Sequence, residues 1–387
     1  MSTAGKVAED PGFRSGLEGV IVAETAISHV DGPNGRLLYR GGNSIESVVD
    51  RSYEDIVHLL LHGGFPEPQA ATAFAARLAG GRPLNAAARA ALEGLPCAAE
   101  PAAALRTILS AHGAARGVRA PDVPEALALT AVAPTAVAAF HRRRRGLPEL
   151  EPRADLGHVA NFLHLLHGEA PDPRQVRWLE AYFTVTADHA LSPSTFTAQV
   201  VGSTGSDLTS AIVAAIGALK GPAHGGATTE ATRMLDRVGD PANAEAFVLD
   251  LLARGGRLMG FGHREYRRYD PRARILAEVC REANPRYHAV AAAVEAVAER
   301  ELAARHPDRP NLTNVDYFAG GVLSAVGIPD DEFVCVFAAA RLVGWAAHVI
   351  EYVERGERIV SPASRWLGPD QEPGVRGATG RNGGFGC

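Results

Sequence analysis

Three short segments of the chain carry reactive side chains at points where glycine interrupts the helical pattern. They are residues 220–226 with His224, residues 259–266 with His263, and residues 313–320 with Asp316. Glycine neighbours let the backbone approach a ligand closely and keep an imidazole out of a packed helical stripe. Two histidines and one carboxylate in such surroundings predict a ligand-binding or catalytic site.

Two chemistries could use this set of side chains. Two imidazoles and a carboxylate can ligate a metal ion, as in a zinc site with an open position. The same groups can perform metal-free acid–base catalysis, in which the carboxylate removes a proton next to a carbonyl group. One imidazole would then stabilise the enolate oxygen, and the other would protonate an acceptor oxygen. Spacing along the chain does not distinguish these alternatives.

The elements that position the three segments are predicted to be helices. Apolar residues recur at spacings of four and three from Leu208 to Leu219, after a capping residue at Ser206 or Asp207. A second apolar stripe follows Pro329. Glycine or proline ends each predicted helix, as is usual where a helix must stop.

The N-terminal region differs from this helical pattern. Two extended runs between Gly19 and Gly41 flank a turn rich in glycine, proline and asparagine, which predicts a β-hairpin. Strands and helices do not alternate after it, which argues against a parallel sheet. The sequence therefore predicts an all-α fold, mainly helical, with a small N-terminal hairpin.

Composition excludes several functional classes. The chain has 387 residues, with 39 Lys and Arg against 44 Asp and Glu and a formal net charge of −5, so it has no overall basic field for nucleic acid or an anionic membrane. Four dispersed cysteines predict neither a disulfide framework nor a zinc ribbon, and they favour a reducing cytoplasm. Four consecutive arginines, residues 142–145, predict a solvated helix end or an anion contact.

Longer motifs extend the pattern over most of the chain. In order they are the hairpin from Gly19 to Gly41, Arg145-Gly-Leu-Pro, Ala160-Asn-Phe-Leu, Ser194-Thr-Phe, Gly202-Ser-Thr-Gly, Gly221-Pro-Ala-His-Gly-Gly, Gly260-Phe-Gly-His, Asp270-Pro-Arg, Asn314-Val-Asp and Arg341-Leu-Val-Gly-Trp. In order and spacing these motifs resemble those of the citrate synthase family, from about Gly16 to Pro369.

The resemblance implies an architecture as well as a reaction. It implies a helical homodimer whose subunits each have a large domain, residues 1–225 and 329–387, and a small domain, residues 226–328. The small domain would close over an active site that the other subunit completes. The implied substrates are an acyl-CoA, as co-substrate, and a 2-oxo acid, with no permanently bound cofactor and no metal.

The resemblance also implies roles for individual residues. Asp316 would remove a methyl proton from acetyl-CoA, His224 would stabilise the enolate, and His263 would donate to the oxaloacetate carbonyl group before the citryl thioester is hydrolysed. His189, Arg272 and Arg341 match the residues that bind the carboxylates of the acceptor. Candidates for contacts with CoA are Gly260, Gly262, Arg267, Arg268, Arg305 and Arg309.

The chain departs from the family pattern at part of the acceptor site. The family reads His-Glu-x-Asn where this chain has His189-Ala-Leu-Ser, and Glu265 occupies a position that is normally apolar. Ser361 stands where the family has an arginine that the neighbouring subunit donates to one carboxylate of oxaloacetate. Arg365, four residues later, could supply a replacement charge.

These departures leave several functions open. The first is condensation of acetyl-CoA with oxaloacetate, and the second is a 2-methylcitrate synthase that uses a longer acyl-CoA. A divergent member could use a different 2-oxo acid or have lost turnover. From other classes, a metal-dependent hydrolase would use His224, His263 and Asp316, and a non-catalytic sensor would bind the thioester without forming product.

Overall fold

The structure, a computed structural model, describes residues 13–307 and 312–366, which are mainly helical. The strands are β1 Ser28–Asp31, β2 Arg36–Tyr39 and β3 Asn43–Ser44. The helices are α1 Ile45–Val48, α2 Tyr53–His62, α3 Pro68–Gly80, α4 Ala86–Gly94, α5 Pro101–Ala114, α6 Val123–Arg144, α7 His158–His167, α8 Pro173–Thr186, α9 Pro193–Gly202, α10 Leu208–Leu219, α11 Ala227–Val238, α12 Ala244–Ala253, α13 Pro271–Ala283, α14 Pro285–Arg305, α15 Val315–Ala325 and α16 Phe333–Glu354. The all-α prediction is confirmed.

The predicted hairpin forms, with shorter strands than the extended runs of sequence. β1 and β2 pair antiparallel from Ser28 opposite Tyr39 to Asp31 opposite Arg36, and β3 adds a third short strand beside β2. Gly35, in the turn, has a φ of 64°, which is accessible to glycine without strain. The hairpin is therefore a compact three-stranded sheet.

The two helices singled out from periodicity also form. The Asp207 carboxylate accepts a hydrogen bond from the Ser210 backbone N–H, so Asp207, and not Ser206, caps α10. A short 3-10 turn at Asp330–Glu332 precedes α16, which starts at Phe333. Both helices bury the apolar faces that their sequences predict.

Two long helices form the middle of the core. Val123–Arg144 and Asp330–Glu354 are long and apolar enough to cross a membrane, but 83% and 100% of their most apolar windows are buried inside the protein. α6 and α16 pack against each other, and α16 also packs against α8 and α9. Burial by neighbouring helices accounts for their hydrophobicity.

The arginines at the end of α6 are not a solvated helix terminus. Arg142 is only 6% exposed, and its guanidinium donates to the carbonyl groups of Pro148 and Leu166. Arg144 and Arg145 bind the buried carboxylate of Glu332 at 3.1 and 3.2 Å. The acceptors are the protein's own carbonyl groups and carboxylates, so these side chains join α6 to the start of α16.

Candidate active site

His224 lies in the turn between α10 and α11, where its ring is held by a chain of hydrogen bonds. Its Nε2 is 2.8 Å from Ser194 Oγ at the start of α9, and Trp345 Nε1 donates to the same hydroxyl at 3.1 Å. Indole is only a donor, so Ser194 Oγ accepts from it, and the hydroxyl proton has two acceptors within reach, His224 Nε2 and Ser192 Oγ at 3.1 Å. Donation to Nε2 is the arrangement that places the imidazole proton on Nδ1.

His263 follows a glycine loop that is locked onto the segment before Asp316. The Gly260 carbonyl accepts from the Asn314 N–H at 2.9 Å, and the Gly262 N–H donates to the Leu312 carbonyl at 2.8 Å. Gly260 has a φ of 81°, and a Cβ atom there would lie 2.7 Å from a ring carbon of Tyr317. Only glycine fits this position, and the close approach brings His263 and Asp316 to one site.

Two backbone amides determine which ring nitrogen of neutral His263 carries the proton. The N–H groups of Glu265 and Tyr266 donate to its Nδ1 at 3.0 and 3.2 Å. Nδ1 is therefore an acceptor, and the neutral ring carries its proton on Nε2. Nε2 lies 3.4 Å from Nη2 of Arg272, so two donors meet where a substrate oxygen could accept from both.

Asp316 is positioned by the start of α15 and by one side chain of α11. The Asn314 side chain caps α15 by accepting from the Asp316 N–H at 3.1 Å. Thr228 Oγ1 donates to Asp316 Oδ1 at 2.6 Å. Burial raises the pKa of Asp316 to about 6, while the Thr228 hydrogen bond and the charge of Arg272 oppose that rise. At neutral pH the group is an ionised carboxylate with enhanced basicity.

The two histidines are neutral for a related reason. Burial, followed by the nearby charges of Arg341 and Arg272, lowers the pKa of His224 to about 4. Burial and the charge of Arg272 lower the pKa of His263 to about 4 as well. Each ring can therefore donate one hydrogen bond to an oxygen without carrying a positive charge.

Two buried guanidinium groups supply the positive charge of the site. Arg272 is 3% exposed and pairs with Asp270 through Nε and Nη2, at 3.0 and 2.8 Å. Arg341 is 1% exposed, and its Nε donates to the Thr186 carbonyl at 2.5 Å. Its Nη2 is buried and has no hydrogen-bond partner within the described part of the chain. A buried, unpartnered guanidinium nitrogen suits an anionic ligand group.

His189 completes the cluster. It is 6% exposed, its ring centroid lies 5.2 Å from that of His263, and its Nε2 lies 3.3 Å from the Tyr266 hydroxyl. Burial and the charge of Arg272 hold the pKa of His189 well below its usual range. The preceding Asp188 is fully buried and bonds His348 Nε2 at 3.1 Å, which fixes the backbone beneath the ring.

Other predicted site residues lie outside this cluster. Arg267 and Arg268 are exposed on the loop after His263, and Arg305 Nη1 lies 3.4 Å from the Leu252 carbonyl. Ser361 and Arg365 are exposed in the segment after α16, where Arg365 lies over the Phe13 ring at 5.9 Å. Arg309 is outside the described residues.

The metal-site alternative finds no support in the described ranges 13–307 and 312–366. In them, no three His, Cys, Asp or Glu side chains are grouped so that they could hold a metal ion. A cavity of about 420 Å³ lies elsewhere, between Arg40, Gly63 and the end of α16 at Glu354. The donor geometry therefore corresponds to hydrogen bonding and acid–base chemistry at His224, His263 and Asp316.

Several residues of the site were not predicted from the sequence. Thr228 contacts Asp316 and Tyr266 contacts His189, each across a long stretch of chain, while Trp345 is linked to His224 through Ser194. Ser194, Tyr266 and Trp345 lie within sequence segments that also indicate the site, but the spacing of residues there does not predict their hydrogen-bond partners. A polar side chain in the same segment as a predicted site residue is the sequence feature that could have indicated these contacts.

Comparison with known proteins agrees with this geometry. The family model described as "Citrate synthase, C-terminal domain" matches residues 16–363. The citrate synthase of Haloferax volcanii is 38% identical over 92% of this chain and 96% of its own length. The 2-methylcitrate synthase of Mycobacterium tuberculosis is 35% identical over 95% of this chain and 94% of its own.

Solved structures show the same similarity. Citrate synthase from Thermotoga maritima is 35% identical with a TM-score of 0.84, covering 94% of this chain and 98% of its own. A ternary complex of the Thermoplasma acidophilum citrate synthase with carboxymethyl coenzyme A and oxaloacetate is 29% identical with a TM-score of 0.87, covering 93% and 97%. By sequence over residues 16–363 and by fold, this chain belongs to the citrate synthase family.

Proposed function

We propose that the protein condenses acetyl-CoA with oxaloacetate and hydrolyses the resulting thioester to give citrate and CoA. One observation carries the proposal: two neutral imidazoles and one carboxylate lie in the same buried cluster as the Arg272 and Arg341 guanidinium groups. Enolate chemistry needs donors that are already in place where negative charge develops, in a site that excludes water. The similar citrate synthases support the same reaction.

Asp316 acts as the base. Thr228 engages Oδ1, which leaves Oδ2 to accept a methyl proton from the acetyl group. His224 donates from Nδ1 to the thioester oxygen as the enolate forms. Removing one such donor typically costs about 3–4 kcal/mol of transition-state stabilisation, so the fixed ring carries much of the rate enhancement.

The acceptor binds on the opposite side of the cluster. His263 Nε2–H and Arg272 Nη2 meet at the oxaloacetate carbonyl oxygen, which becomes a hydroxyl group when the carbon–carbon bond forms. Arg341 holds a carboxylate through Nη2, which no group in the described part of the chain engages. Guanidinium groups suit carboxylates because their N–H groups match the two oxygens in one plane.

Release of free thiol tests the reaction. With acetyl-CoA alone we expect no CoA release, and with both substrates we expect stoichiometric CoA and citrate. Asp316→Asn should lower kcat about 100- to 10,000-fold, whereas Asp250→Asn, in an exposed pair with Arg254, should not. Equal thiol release without any oxo acid would make the protein a thioesterase, and binding without product would make it a sensor.

The second candidate is condensation of propionyl-CoA to 2-methylcitrate. It is favoured by one observation, the 35% identity to a 2-methylcitrate synthase over 95% of this chain, close to the 38% for a citrate synthase. Mass analysis of products from equimolar acetyl-CoA and propionyl-CoA, with a panel of 2-oxo acids, separates the candidates. The preferred product is the one with the higher kcat/KM for its acyl-CoA.

We also propose that the chain works as a homodimer with a shared active site. The terminal segments support this, because Ile21, Ile359 and Trp366 are 89%, 62% and 76% exposed and such apolar side chains favour burial against a partner. Light scattering should give twice the 40.7 kDa chain mass. A monomer at assay concentration would overturn the proposal.

The domain division and location are proposals as well. Residues 226–328 would form a small domain that closes on residues 1–225 and 329–387, with Arg267, Arg268, Arg305 and Arg309 near the CoA phosphates. Limited proteolysis with and without both substrates tests closure.

The described cysteines Cys97, Cys280 and Cys335 are unpaired, which supports a cytoplasmic location that cell fractionation can check.

A further inference from the structure

Tyr266 touches three residues of the site, yet the proposed reaction gives it no role. It is 2% exposed, and its ring centroid lies 4.5 Å from that of His263. The Arg272 guanidinium carbon lies 5.9 Å from the same ring. Its hydroxyl lies 3.3 Å from Nε2 of His189. The ring therefore packs against the carbonyl-binding pair, while the hydroxyl reaches a third residue.

The hydroxyl of Tyr266 is best placed as a donor. Within residues 13–307 and 312–366, His189 Nε2 is the one hydrogen-bond partner of this hydroxyl. A buried O–H group without an acceptor costs free energy, and an unprotonated imidazole nitrogen is a good acceptor. The arrangement that satisfies both groups is donation from Tyr266 Oη to His189 Nε2.

This donation decides which nitrogen of His189 carries the proton. A neutral imidazole has one N–H group, and acceptance at Nε2 leaves that proton on Nδ1. Without the tyrosine hydroxyl, the two tautomers would compete, and in part of the population Nδ1 would be an acceptor in place of a donor. An acceptor facing a carboxylate is repulsive, whereas an N–H group is attractive.

We propose that Tyr266 is a positioning residue that keeps His189 in the Nδ1–H tautomer, as a donor to the 2-oxo acid. The inference rests on the proposed function for the identity of the acceptor, but the tautomer is a property of the protein alone. Tyr266 would thereby tune oxo-acid affinity without touching the acyl-CoA.

Tyr266→Phe removes the hydroxyl and keeps the ring. We expect a 3- to 10-fold rise, about the value of one hydrogen bond, in both the Kd and the KM for oxaloacetate. The KM for acetyl-CoA and the thermal midpoint should be unchanged. Tyr269→Phe is the matched control, because it loses a hydroxyl that bonds Glu295 at 2.7 Å in the same loop. Equal effects on both substrates would overturn the proposal.

A double-mutant cycle tests whether the effect passes through His189. In a His189→Ala background, Tyr266→Phe should not weaken oxaloacetate binding further. A full additional loss in that background would assign the effect to the substrate or to His263, and would overturn the positioning role.

The tautomer can be measured without any substrate. In histidine-labelled protein, with the His189 signal assigned through His189→Ala, the ring nitrogen shifts should report the Nδ1–H tautomer, and Tyr266→Phe should shift them toward a mixture. An Nε2–H tautomer, or identical shifts in the variant, would overturn the proposal. If the unaltered protein bound no oxaloacetate while these shifts behaved as expected, the proposed function would fail and the tautomer assignment would stand.

Discussion

The hydroxyl of Ser194 lies 2.8 Å from Nε2 of His224 and accepts a hydrogen bond from the Trp345 indole at 3.1 Å. The Ser194 hydroxyl thus links the indole of α16 to an imidazole thirty residues away from it in sequence. When the hydroxyl donates to Nε2, the His224 ring keeps its proton on Nδ1, which is the donor that the proposed reaction needs. At His263 the backbone N–H groups of Glu265 and Tyr266 donate to one ring nitrogen in a comparable way.

Ser194→Ala should therefore impair chemistry more than binding. Loss of the hydroxyl frees the His224 ring to rotate and to change tautomer, so kcat should fall about 10- to 100-fold, within the range for weakening one preorganised donor. The KM for oxaloacetate should change little. Steady-state kinetics with each substrate varied in turn measures both.

Thr197→Ala is the control for that experiment. Its hydroxyl donates to the Pro193 carbonyl on the same helix, α9, and forms no hydrogen bond with His224. Normal kinetics in this variant would show that loss of a hydroxyl from α9 is harmless by itself. A Ser194→Ala variant with unchanged kcat would mean that the ring is oriented by other contacts.

The pH dependence should report the base. Because the pKa of Asp316 is raised to about 6, kcat/KM should fall tenfold per pH unit below that value, as the carboxylate becomes protonated, and level off above it. Thr228→Val removes a hydrogen bond that lowers this pKa, so the acid limb should move to higher pH. The measurement is a pH–rate profile for both proteins.

A neighbouring threonine gives the matched comparison. The Thr229 hydroxyl bonds the Asp330 carbonyl at 2.9 Å, away from Asp316, so Thr229→Val should leave the acid limb in place. An acid limb near pH 4 in the unaltered protein would contradict the assignment of a buried carboxylate as the base.

Substitution of Gly32, in the hairpin turn, should lower activity although this glycine is far from the reacting groups in sequence. A Cβ atom there would lie 2.2 Å from the Glu265 carbonyl oxygen, and the Gly32 carbonyl accepts from the Arg267 N–H at 3.0 Å. Gly32→Ala must push away the loop that holds His263. A displacement of about 1 Å can cost 100-fold in rate, so kcat/KM should fall roughly 10- to 100-fold.

Gly64→Ala is the control, because nothing lies within 4 Å of a Cβ atom at that position. Kinetics and unfolding midpoints of the two variants separate loop displacement from loss of stability. Equal activity in both variants would show that the hairpin and the loop move independently.

These relationships mark the limit of what sequence could predict. His224, His263 and Asp316 could be predicted because the glycines near them in sequence indicate the backbone conformation that such a site requires. The partners Thr228, Tyr266 and Trp345 did not, because their pairing depends on how distant helices pack. The helices α10 and α16 were predictable from their apolar stripes, but the packing of α16 against α6 was not.

The environments of the arginines also could not be predicted from sequence. The run at residues 142–145 was predicted to be solvated or to contact an anion, and the structure pairs Arg144 with Glu332, nearly 190 residues away. Arg341 could have been a surface cation of α16, but it is 1% exposed, and its buried Nη2 has no hydrogen-bond partner among residues 13–307 and 312–366. Charge alone did not distinguish a structural arginine from one that faces a ligand, because only burial and partner geometry do so.

Ser361 offers the sharpest test of the acceptor site. The Val360 N–H donates to Ser203 Oγ at 3.1 Å, which anchors the segment beside α9, and serine brings no charge. Because a hydrogen bond to a charged group is worth about 1.5–3 kcal/mol, Ser361→Arg should lower the KM for oxaloacetate roughly 10- to 100-fold. An unchanged KM would mean that Arg365 or another group already neutralises that carboxylate.

The same substitution can show whether the segment serves the neighbouring subunit. A chain with both Ser361→Arg and Asp316→Asn should be inactive alone. Hybrid dimers of this chain with the unaltered chain can be purified through two different tags. In such a hybrid, the intact Asp316 belongs to the unaltered chain, so only the site of that chain is active. A low KM in the hybrid would place residue 361 in the partner's site, whereas a KM equal to that of the unaltered dimer would place it in its own.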